Sequence, residues 1–226
     1  GVLQKGKTVG EYQLDKITGA AIKIATEPDT SEVTDESNTT GGDADNTATT
    51  VDKLHIFVGD SRTVGLSNTM GCVSYDKLLQ IRTEENLTEY YLAEVGSGYS
   101  WYSTKALPKL VKMLNENPVA TVILNHGIND LGNIDQYIAS YQWLIRVYPN
   151  TKFVIMSVNP VNRKLYKGYA KPANITVFNQ KMQAAFPNNF VNTYQYLQSM
   201  GFNTADGLHY DSLTYMNLYN YMQPYL

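Results

Sequence analysis

The stretch LHIFVGDSR, residues 54–62, decides how the fold of this chain is interpreted. Its apolar run ends abruptly at Gly59-Asp60-Ser61. A continuous apolar run is typical of a strand in a parallel sheet, which is covered by helices on both faces. Gly, Asp and Ser are also common turn residues, because their backbones or side chains satisfy tight turns. The stretch therefore predicts either a plain turn after a buried strand or a strand that delivers Ser61 to a sheet edge as a nucleophile.

Further strands follow the first one, and amphipathic helices alternate with them. The predicted strands cover residues 51–59, 87–96, 119–127, 152–160 and, more weakly, 188–197. Apolar residues recur at three- and four-residue spacing in the predicted helices, which cover residues 100–117, 134–149, 174–187 and 211–226. This alternation predicts a right-handed, doubly wound α/β sheet. Ligands of such sheets bind at the carboxyl ends of the strands, which makes the residues at those ends the candidates for a site.

The N-terminal part of the chain differs from the rest in composition. Residues 27–50 are acidic and polar with almost no apolar side chain, so they cannot bury enough surface to offset the entropy of ordering. We predict a flexible acidic linker there. Residues 1–26 are predicted to be an N-terminal extension that can form a short hairpin within 9–25. The main domain is predicted to cover residues 51–226.

Bulk composition excludes several classes of function. The net charge is -3 without a basic stripe, which argues against a nucleic-acid partner. No apolar run approaches the ~20 residues that a membrane-spanning helix needs. The only cysteine is Cys72, which excludes an internal disulfide and a cysteine-rich zinc site. No metal-binding or cofactor motif is present, so we predict neither a metal nor a cofactor.

The start and the surface composition of the chain suggest where the protein acts. It begins at Gly1 without a signal-peptide pattern, so we expect a processed or truncated form. Tyr is abundant, with 18 residues, and the acidic linker resembles a tether. We therefore expect a monomeric bacterial protein that is secreted or held at the cell surface.

Short motifs stand at the predicted strand ends. GDS closes the first strand at residues 59–61, VGSG follows the second at 95–98, and NHGIND follows the third at 125–130. DGLHYD, at 206–211, precedes the last predicted helix. Each motif alone is a weak signal, but their order and their structural context make the set specific.

Together these motifs resemble the conserved blocks of the SGNH hydrolase superfamily, the GDSL-like lipases and esterases, over residues 54–226. The resemblance implies a flavodoxin-like, three-layer α/β/α sandwich with about five parallel strands. It also implies that Ser61 is the nucleophile, with His209 and Asp206 as its catalytic partners. The chemistry of the residues agrees, because a serine hydroxyl needs a base, and a carboxylate can hold the imidazole in one tautomer.

The resemblance further implies an oxyanion hole made by the backbone N–H groups of Ser61 and Gly98 and the side-chain amide of Asn129. Gly96 is a rival to Gly98 as the glycine of this block. The Leu that follows GDS in the family is replaced here by Arg62. Arg62 can contact an anionic or sugar group of the substrate, or pair with an acid on the surface.

Five other residues are candidates for structural roles. Asp60 is predicted to accept backbone N–H bonds that hold the nucleophile turn, and His55 to be a satisfied residue of the interior or of a sheet edge. His126 can line the pocket, but a role in supporting the site residues from behind or in packing is favoured. Tyr99 and Trp101 follow the second motif, where an aromatic ring can stack on a substrate or pack at the start of a helix.

The sequence as a whole predicts a serine hydrolase of carboxylic esters. We expect it to remove short acyl groups, acetyl above all, from a carbohydrate through an acyl-enzyme on Ser61. The expected partner is thus a small-molecule or glycan ester. Two alternatives stay open: a polysaccharide O-acyltransferase, and a glycan-binding or cell-wall module without catalysis.

Overall fold

A computed structural model of the protein describes residues 12–14, 21–23 and 53–226. Two short strands, β1 (Tyr12–Leu14) and β2 (Ala21–Lys23), pair antiparallel within the segment where the sequence allows a hairpin. The predicted linker at 27–50 lies outside the described residues. Among the residues described, no helix is both long and apolar enough to cross a membrane.

A seven-stranded sheet forms the centre of the main domain. Its strands are β3 (Lys53–Gly59), β4 (Val73–Ser74), β5 (Leu79–Glu84), β6 (Leu87–Ala93), β7 (Thr121–Asn125), β8 (Lys152–Met156) and β9 (Phe190–Val191). They lie in the order β4-β5-β6-β3-β7-β8-β9. The run from β6 to β9 is parallel, which confirms the prediction of about five parallel strands. Taken in chain order, these five follow the flavodoxin-like arrangement, with the first strand, β3, between the second and the third.

Helices cover both faces of this sheet. They are α1 (Ser61–Thr69), α2 (Tyr99–Trp101), α3 (Leu107–Glu116), α4 (Ile134–Val147), α5 (Pro172–Ala185), α6 (Thr193–Met200) and α7 (Ser212–Met222). A π-helical turn, Tyr102–Ala106, joins α2 to α3. Apolar residues of α3, α4 and α5 share one core with Ile56 and Val58 of β3, whereas α1, α6 and α7 share the other with Phe57. This alternation along β3 confirms the three-layer α/β/α fold.

The structure corrects the sequence prediction in three places. The strand predicted at 188–197 is wrong beyond β9, because Asn192 caps α6: its side chain accepts the Gln195 N–H at 3.1 Å. Helix α1 was not predicted as a helix. Strands β4 and β5 were not predicted either; they extend the sheet by antiparallel pairing next to β6. The elements α1, α6, β4 and β5 are all short, so the periodicity of their apolar residues extends over too few positions to be decisive.

Candidate active site

Ser61 is placed by a sharp junction between β3 and α1. An added Cβ at Gly59 would lie 1.9 Å from Oγ1 of Thr63 and 2.8 Å from the carbonyl oxygen of Asn125, so only glycine lets the helix start this close to the sheet. Asp60 is the N-cap, and its Oδ1 accepts the Arg62 N–H at 2.9 Å, as predicted. Ser61 thus occupies the first position of the helix, where a backbone N–H has no intrahelical acceptor.

The side chains of Ser61, His209 and Asp206 meet at the carboxyl end of β3. Nε2 of His209 lies 2.9 Å from Oγ of Ser61. Nδ1 of the same ring lies 2.6 Å from Oδ2 of Asp206. Ser61 and His209 are 148 residues apart in sequence, so only the tertiary fold brings them together. The geometry is that of a nucleophile, a base and a group that orients the base.

A tight turn explains the three-residue spacing between Asp206 and His209. Oδ1 of Asp206 accepts the N–H groups of Leu208 and His209, each at 2.8 Å, and Gly207 adopts a φ of +84°. Although partial desolvation opposes it, the hydrogen bonds from His209 and Leu208 lower the pKa of Asp206 to about 2. The carboxylate therefore stays ionised at neutral pH. The side chains of Asp206 and His209 remain 53% and 41% exposed, so this pair faces solvent.

Two of the predicted oxyanion-hole residues lie in contact through the loop after β6. Nδ2 of Asn129 donates to the carbonyl oxygen of Ser97 at 2.8 Å, which places the amide beside the Ser97-Gly98 peptide. Gly98 is the extended N-cap of α2, whereas Gly96 adopts a φ of +76° with open space around it. Gly98, rather than Gly96, therefore stays the candidate donor.

Asp130, which sequence reasoning did not single out, holds this loop. An added Cβ at Gly98 would lie 2.6 Å from Oδ2 of Asp130, so the glycine leaves room for the carboxylate. Asp130 accepts hydrogen bonds from the Tyr99 N–H at 2.5 Å, from Nδ2 of Asn133 at 2.9 Å and from the hydroxyl of Tyr137 at 2.9 Å. In the sequence, the only indication of this role was the position of Asp130 as the last residue of the GIND motif. The carboxylate fixes the start of α2 to the start of α4.

Both interpretations of Arg62 from the sequence are wrong. Its side chain is buried, with 3% of the residue exposed, so it neither reaches a substrate nor forms a surface ion pair. Nε donates to the carbonyl oxygen of Leu208 at 3.1 Å. Nη1 and Nη2 donate to the carbonyl oxygens of Asn159 and Pro160 at 2.7 and 3.0 Å. The guanidinium therefore ties the nucleophile helix to the peptide that precedes His209.

A cavity of about 450 Å³ opens beside the Ser61–His209 pair. It lies between α1, α7 and the loop after β6. Its other lining residues are Val64, Gly65, Asn68, Thr69, Val95, Tyr210, Ser212 and Tyr215. The amide of Asn68 and the hydroxyls of Thr69 and Ser212 thus share the walls with apolar and aromatic surface, a mixture that can receive a polar organic group next to Ser61.

The remaining candidates serve packing. His126 is buried beside the rings of Trp101 and Tyr102, at centroid distances of 6.0 and 5.4 Å, which confirms the packing interpretation. Burial lowers the pKa of His126 to about 3, so the ring stays neutral. Tyr99 packs edge-on against Tyr137 at 5.1 Å. Helix-start packing therefore accounts for both aromatic residues that follow the second motif.

Cys72 is a poor alternative nucleophile in the part of the chain that is described. Burial, with the charge of Glu89, raises the pKa of Cys72 to about 11, which makes its thiolate scarce. Within residues 53–226, no three His, Cys, Asp or Glu side chains are grouped to hold a metal ion.

Comparison with solved structures places this fold among known hydrolases. A protein of Streptococcus pneumoniae that carries the name platelet activating factor is 23% identical, with a TM-score of 0.59 over 80% of this chain and 86% of that chain. The chain has the fold of the SGNH hydrolases. A lipase/acylhydrolase from Enterococcus faecalis, 18% identical, matches with a TM-score of 0.52 over 74% and 91% of the two chains.

A member of the G-D-S-L lipolytic family from Veillonella parvula shares the same SGNH fold. It is 13% identical, with a TM-score of 0.51 over 76% of this chain and 97% of that chain. No protein-family model and no curated protein sequence matches this chain. The predicted resemblance to the SGNH superfamily is thus confirmed in the fold, at identities that leave the chemistry to be argued from the site.

Proposed function

We propose that the protein is a serine hydrolase of carboxylic esters that removes short acyl groups, acetyl above all, from a carbohydrate. The observation that carries this proposal is the unbroken chain of contacts from Oγ of Ser61 through the imidazole of His209 to the carboxylate of Asp206. A Ser–His–Asp chain next to a cavity is what acyl transfer through a serine requires.

The reaction proceeds in two steps on this geometry. His209 takes the proton of Ser61 while Oγ attacks the acyl carbonyl, and Asp206 stabilises the imidazolium that forms. The backbone N–H groups of Ser61 and Gly98 and the amide of Asn129 receive the negative charge on the carbonyl oxygen. His209 then protonates the leaving alcohol. Water, activated by the same ring, releases the acyl group from Ser61.

The cavity supports a carbohydrate as the alcohol. His209 must lie next to the leaving oxygen, and the cavity lined by His209 extends toward Asn68, Thr69 and Ser212. These polar side chains suit the hydroxyls of a sugar, and the ring of Tyr215 at the same wall adds apolar surface. The lipase/acylhydrolase from Enterococcus faecalis, with the same fold, carries a name that fits ester chemistry.

Hydrolysis of p-nitrophenyl acetate by wild type and by Ser61→Ala tests the proposal. We expect turnover by wild type, and a loss of about 10⁴-fold or more in kcat for the variant, since a catalytic serine contributes on this scale. A fluorophosphonate should label wild type at Ser61 and leave the variant unlabelled. Equal turnover by both proteins would refute the proposal. Acetylated oligosaccharides, followed by mass spectrometry with and without an acceptor sugar, then separate hydrolysis from acyl transfer.

A further inference from the structure

The loop between β8 and α5, residues 157–171, forms one rim of the candidate site. The N–H of Asn162 donates to the carbonyl oxygen of Gly207 at 2.8 Å. Gly207 is packed so tightly against the loop that an added Cβ would lie 2.3 Å from the backbone nitrogen of Tyr166. This part of the loop therefore lies directly against the turn that carries Asp206 and His209.

The far end of the same loop reaches the oxyanion side of the site. The hydroxyl of Tyr169 donates to the carbonyl oxygen of Ile128 at 2.8 Å, one residue before Asn129. Tyr169 nevertheless remains 53% exposed, so part of its ring faces solvent. The loop thus contacts both the His209 turn and the Asn129 turn.

This rim is strongly cationic in a protein whose net charge is -3. The loop carries Arg163, Lys164, Lys167 and Lys171, all of them exposed, and no acidic residue. In sequence, no Asp or Glu occurs between Asp135 and Asp206. Within residues 53–226, the salt bridges involve none of these four cations. The net charge of the whole chain therefore gives no indication of this local excess of positive charge.

Arg163 differs from the three lysines because it shapes the loop. Its Nη1 donates to the carbonyl oxygen of Gly168 at 2.9 Å, and its guanidinium lies 5.6 Å from the ring centre of Tyr166. The lysines make fewer contacts: Nζ of Lys167 donates to the carbonyl oxygen of Lys164 at 3.0 Å. Since an ammonium group has three N–H donors, this lysine keeps donors for a ligand. The free positive charge of the rim therefore belongs to the lysines.

We propose that Lys164, Lys167 and Lys171 bind an anionic group, a carboxylate or a phosphate, on the polymer whose ester Ser61 attacks. The proposal rests on the ester hydrolase function and adds a charge to its substrate. None of these cations has an acidic salt-bridge partner within residues 53–226, so the like charges repel one another. An anionic ligand relieves that repulsion and increases the rate of encounter. The half-exposed ring of Tyr169, on the same loop as these cations, offers apolar surface to a sugar ring of the same polymer.

The test compares esters of different charge at two salt concentrations. The substrates are an acetylated polyuronate, an acetylated phosphate-bearing glycan, acetylated xylan as the neutral polymer, and p-nitrophenyl acetate. We expect wild type to lose about tenfold in kcat/KM on an anionic polymer when the salt rises from about 0.02 M to about 0.3 M, because exposed charges are screened. The neutral substrates should show no such loss.

A triple variant, Lys164→Gln, Lys167→Gln and Lys171→Gln, locates the effect. It should lower the ratio of kcat/KM on the anionic polymer to kcat/KM on xylan about tenfold, mainly through KM, since three exposed charges that act on binding are removed together. The matched control removes the same charge at the opposite edge of the sheet, by Lys53→Gln, Arg146→Gln and Lys152→Gln. All three control residues are exposed, and the control should keep the wild-type ratio.

Three results would overturn the proposal. The first is an unchanged ratio of the two kcat/KM values in the lysine variant, and the second is an equal drop of this ratio in the control. The third is a wild-type kcat/KM on anionic polymers that does not change with the salt concentration. Tight binding of single-stranded DNA that only the lysine variant loses, with no change on the anionic glycans, would also overturn it in favour of a nucleic-acid partner. Turnover of p-nitrophenyl acetate that depends on Ser61 keeps these outcomes separate from a failure of the hydrolase function.

Discussion

Two carboxylate–histidine pairs lie in this domain, at opposite ends of the central strands. At the carboxyl end, Asp206 holds His209 at 2.6 Å, and both side chains are about half exposed. At the other end, Glu89 of β6 faces His55 of β3 in the strand register, with 3.5 Å between Oε1 and Nδ1. Here both side chains are buried, at 0% and 6% exposure. The residue types are nearly the same, but the surroundings are not.

The Glu89 pair has its charge satisfied from within the protein. Nε and Nη2 of Arg82 lie 2.9 and 2.8 Å from Oε2 of Glu89. The hydroxyls of Tyr91 and Tyr219 donate to the same carboxylate at 3.0 and 2.8 Å. Although burial opposes it, the nearby imidazole of His55 and the hydrogen bonds from Tyr219 and Arg82 hold the pKa of Glu89 below its ordinary value. The hydroxyls of this cluster donate to the carboxylate itself, whereas the hydroxyl of Ser61 lies beside an imidazole and lines a cavity.

The comparison shows what distinguishes a candidate catalytic pair from a structural one. In the Asp206 pair, the carboxylate is bound by its own turn and the far nitrogen of the imidazole faces a nucleophile in a cavity. In the Glu89 pair, the carboxylate cross-links two strands and α7. A histidine beside a carboxylate is therefore informative only together with an accessible third group.

Asp206→Asn should give the largest effect of these substitutions. It tests directly whether the exposed carboxylate–histidine pair is catalytic. We expect kcat/KM on p-nitrophenyl acetate to fall by about 10²–10⁴-fold, because the imidazole loses its tautomer control and its counter-charge. The unfolding midpoint should stay close to that of wild type, since the side chain is 53% exposed. Kinetics and thermal unfolding on the same sample check this. A variant with full activity would remove Asp206 from the mechanism.

Glu89→Gln should show the opposite pattern. Breaking a buried charge pair costs about 3–5 kcal/mol, so we expect a large fall in the free energy of unfolding with kcat unchanged below the transition. Because the folded-state pKa of Glu89 is lowered, its contribution is present above the ordinary pKa and is lost as the pH falls. Urea unfolding at about pH 7 and about pH 4 should therefore show a smaller difference from wild type at the lower pH. A pH-independent difference would contradict this account.

Asp60→Asn concerns a third carboxylate. Asp60 is buried like Glu89 but lies at the carboxyl edge of the sheet, next to Ser61. Burial raises the pKa of Asp60 from 3.8 to about 6, against the opposing effects of the Arg62 N–H and its charge. Its contribution to stability is therefore greatest below the ordinary pKa and is lost as the pH rises through about 6.

Asparagine keeps an acceptor for the Arg62 N–H but cannot ionise. We therefore expect the variant to gain up to about 3 kcal/mol relative to wild type between about pH 4 and about pH 8. Urea titrations at both pH values measure the gain. A constant difference between the two proteins would show that Asp60 does not titrate in this range.

Arg62→Lys should have the smallest effect, and Arg82→Lys is its counterpart in the other cluster. A lysine cannot bind three separate carbonyl oxygens in the geometry of a guanidinium. We expect kcat to fall about tenfold with little change in KM, because the His209 turn loses its tie to α1 and small misplacements are costly in catalysis. Arg82→Lys should lower stability and leave kcat unchanged. Equal kinetic losses in both variants would mean that Arg62 contributes only to folding.

Sequence-based prediction is correct where the signal is local. Residues 54–59 predict a strand because their apolar run is continuous, and residues 107–114 predict a helix because their apolar spacing is regular. The turn that joins Asp206 to His209 is local as well, with two backbone N–H groups bound by one carboxylate. It failed at 193–200, where a short helix follows a two-residue strand too closely for either period to emerge.

By itself, the sequence determined the parallel sheet, the order of the motifs along it and the residue types available at its carboxyl edge. The role of Arg62 follows only from the tertiary structure. Its guanidinium donates hydrogen bonds to carbonyl oxygens of residues that lie 97, 98 and 146 positions further along the sequence. The tertiary structure also decided that Glu89, and not Asp206, is buried among four polar groups. Apolar periodicity and turn chemistry depend on residues that are close in sequence, so they can be recognised there. A backbone carbonyl is the same acceptor in every residue type, so its long-range hydrogen-bond partner becomes known only from the folded chain.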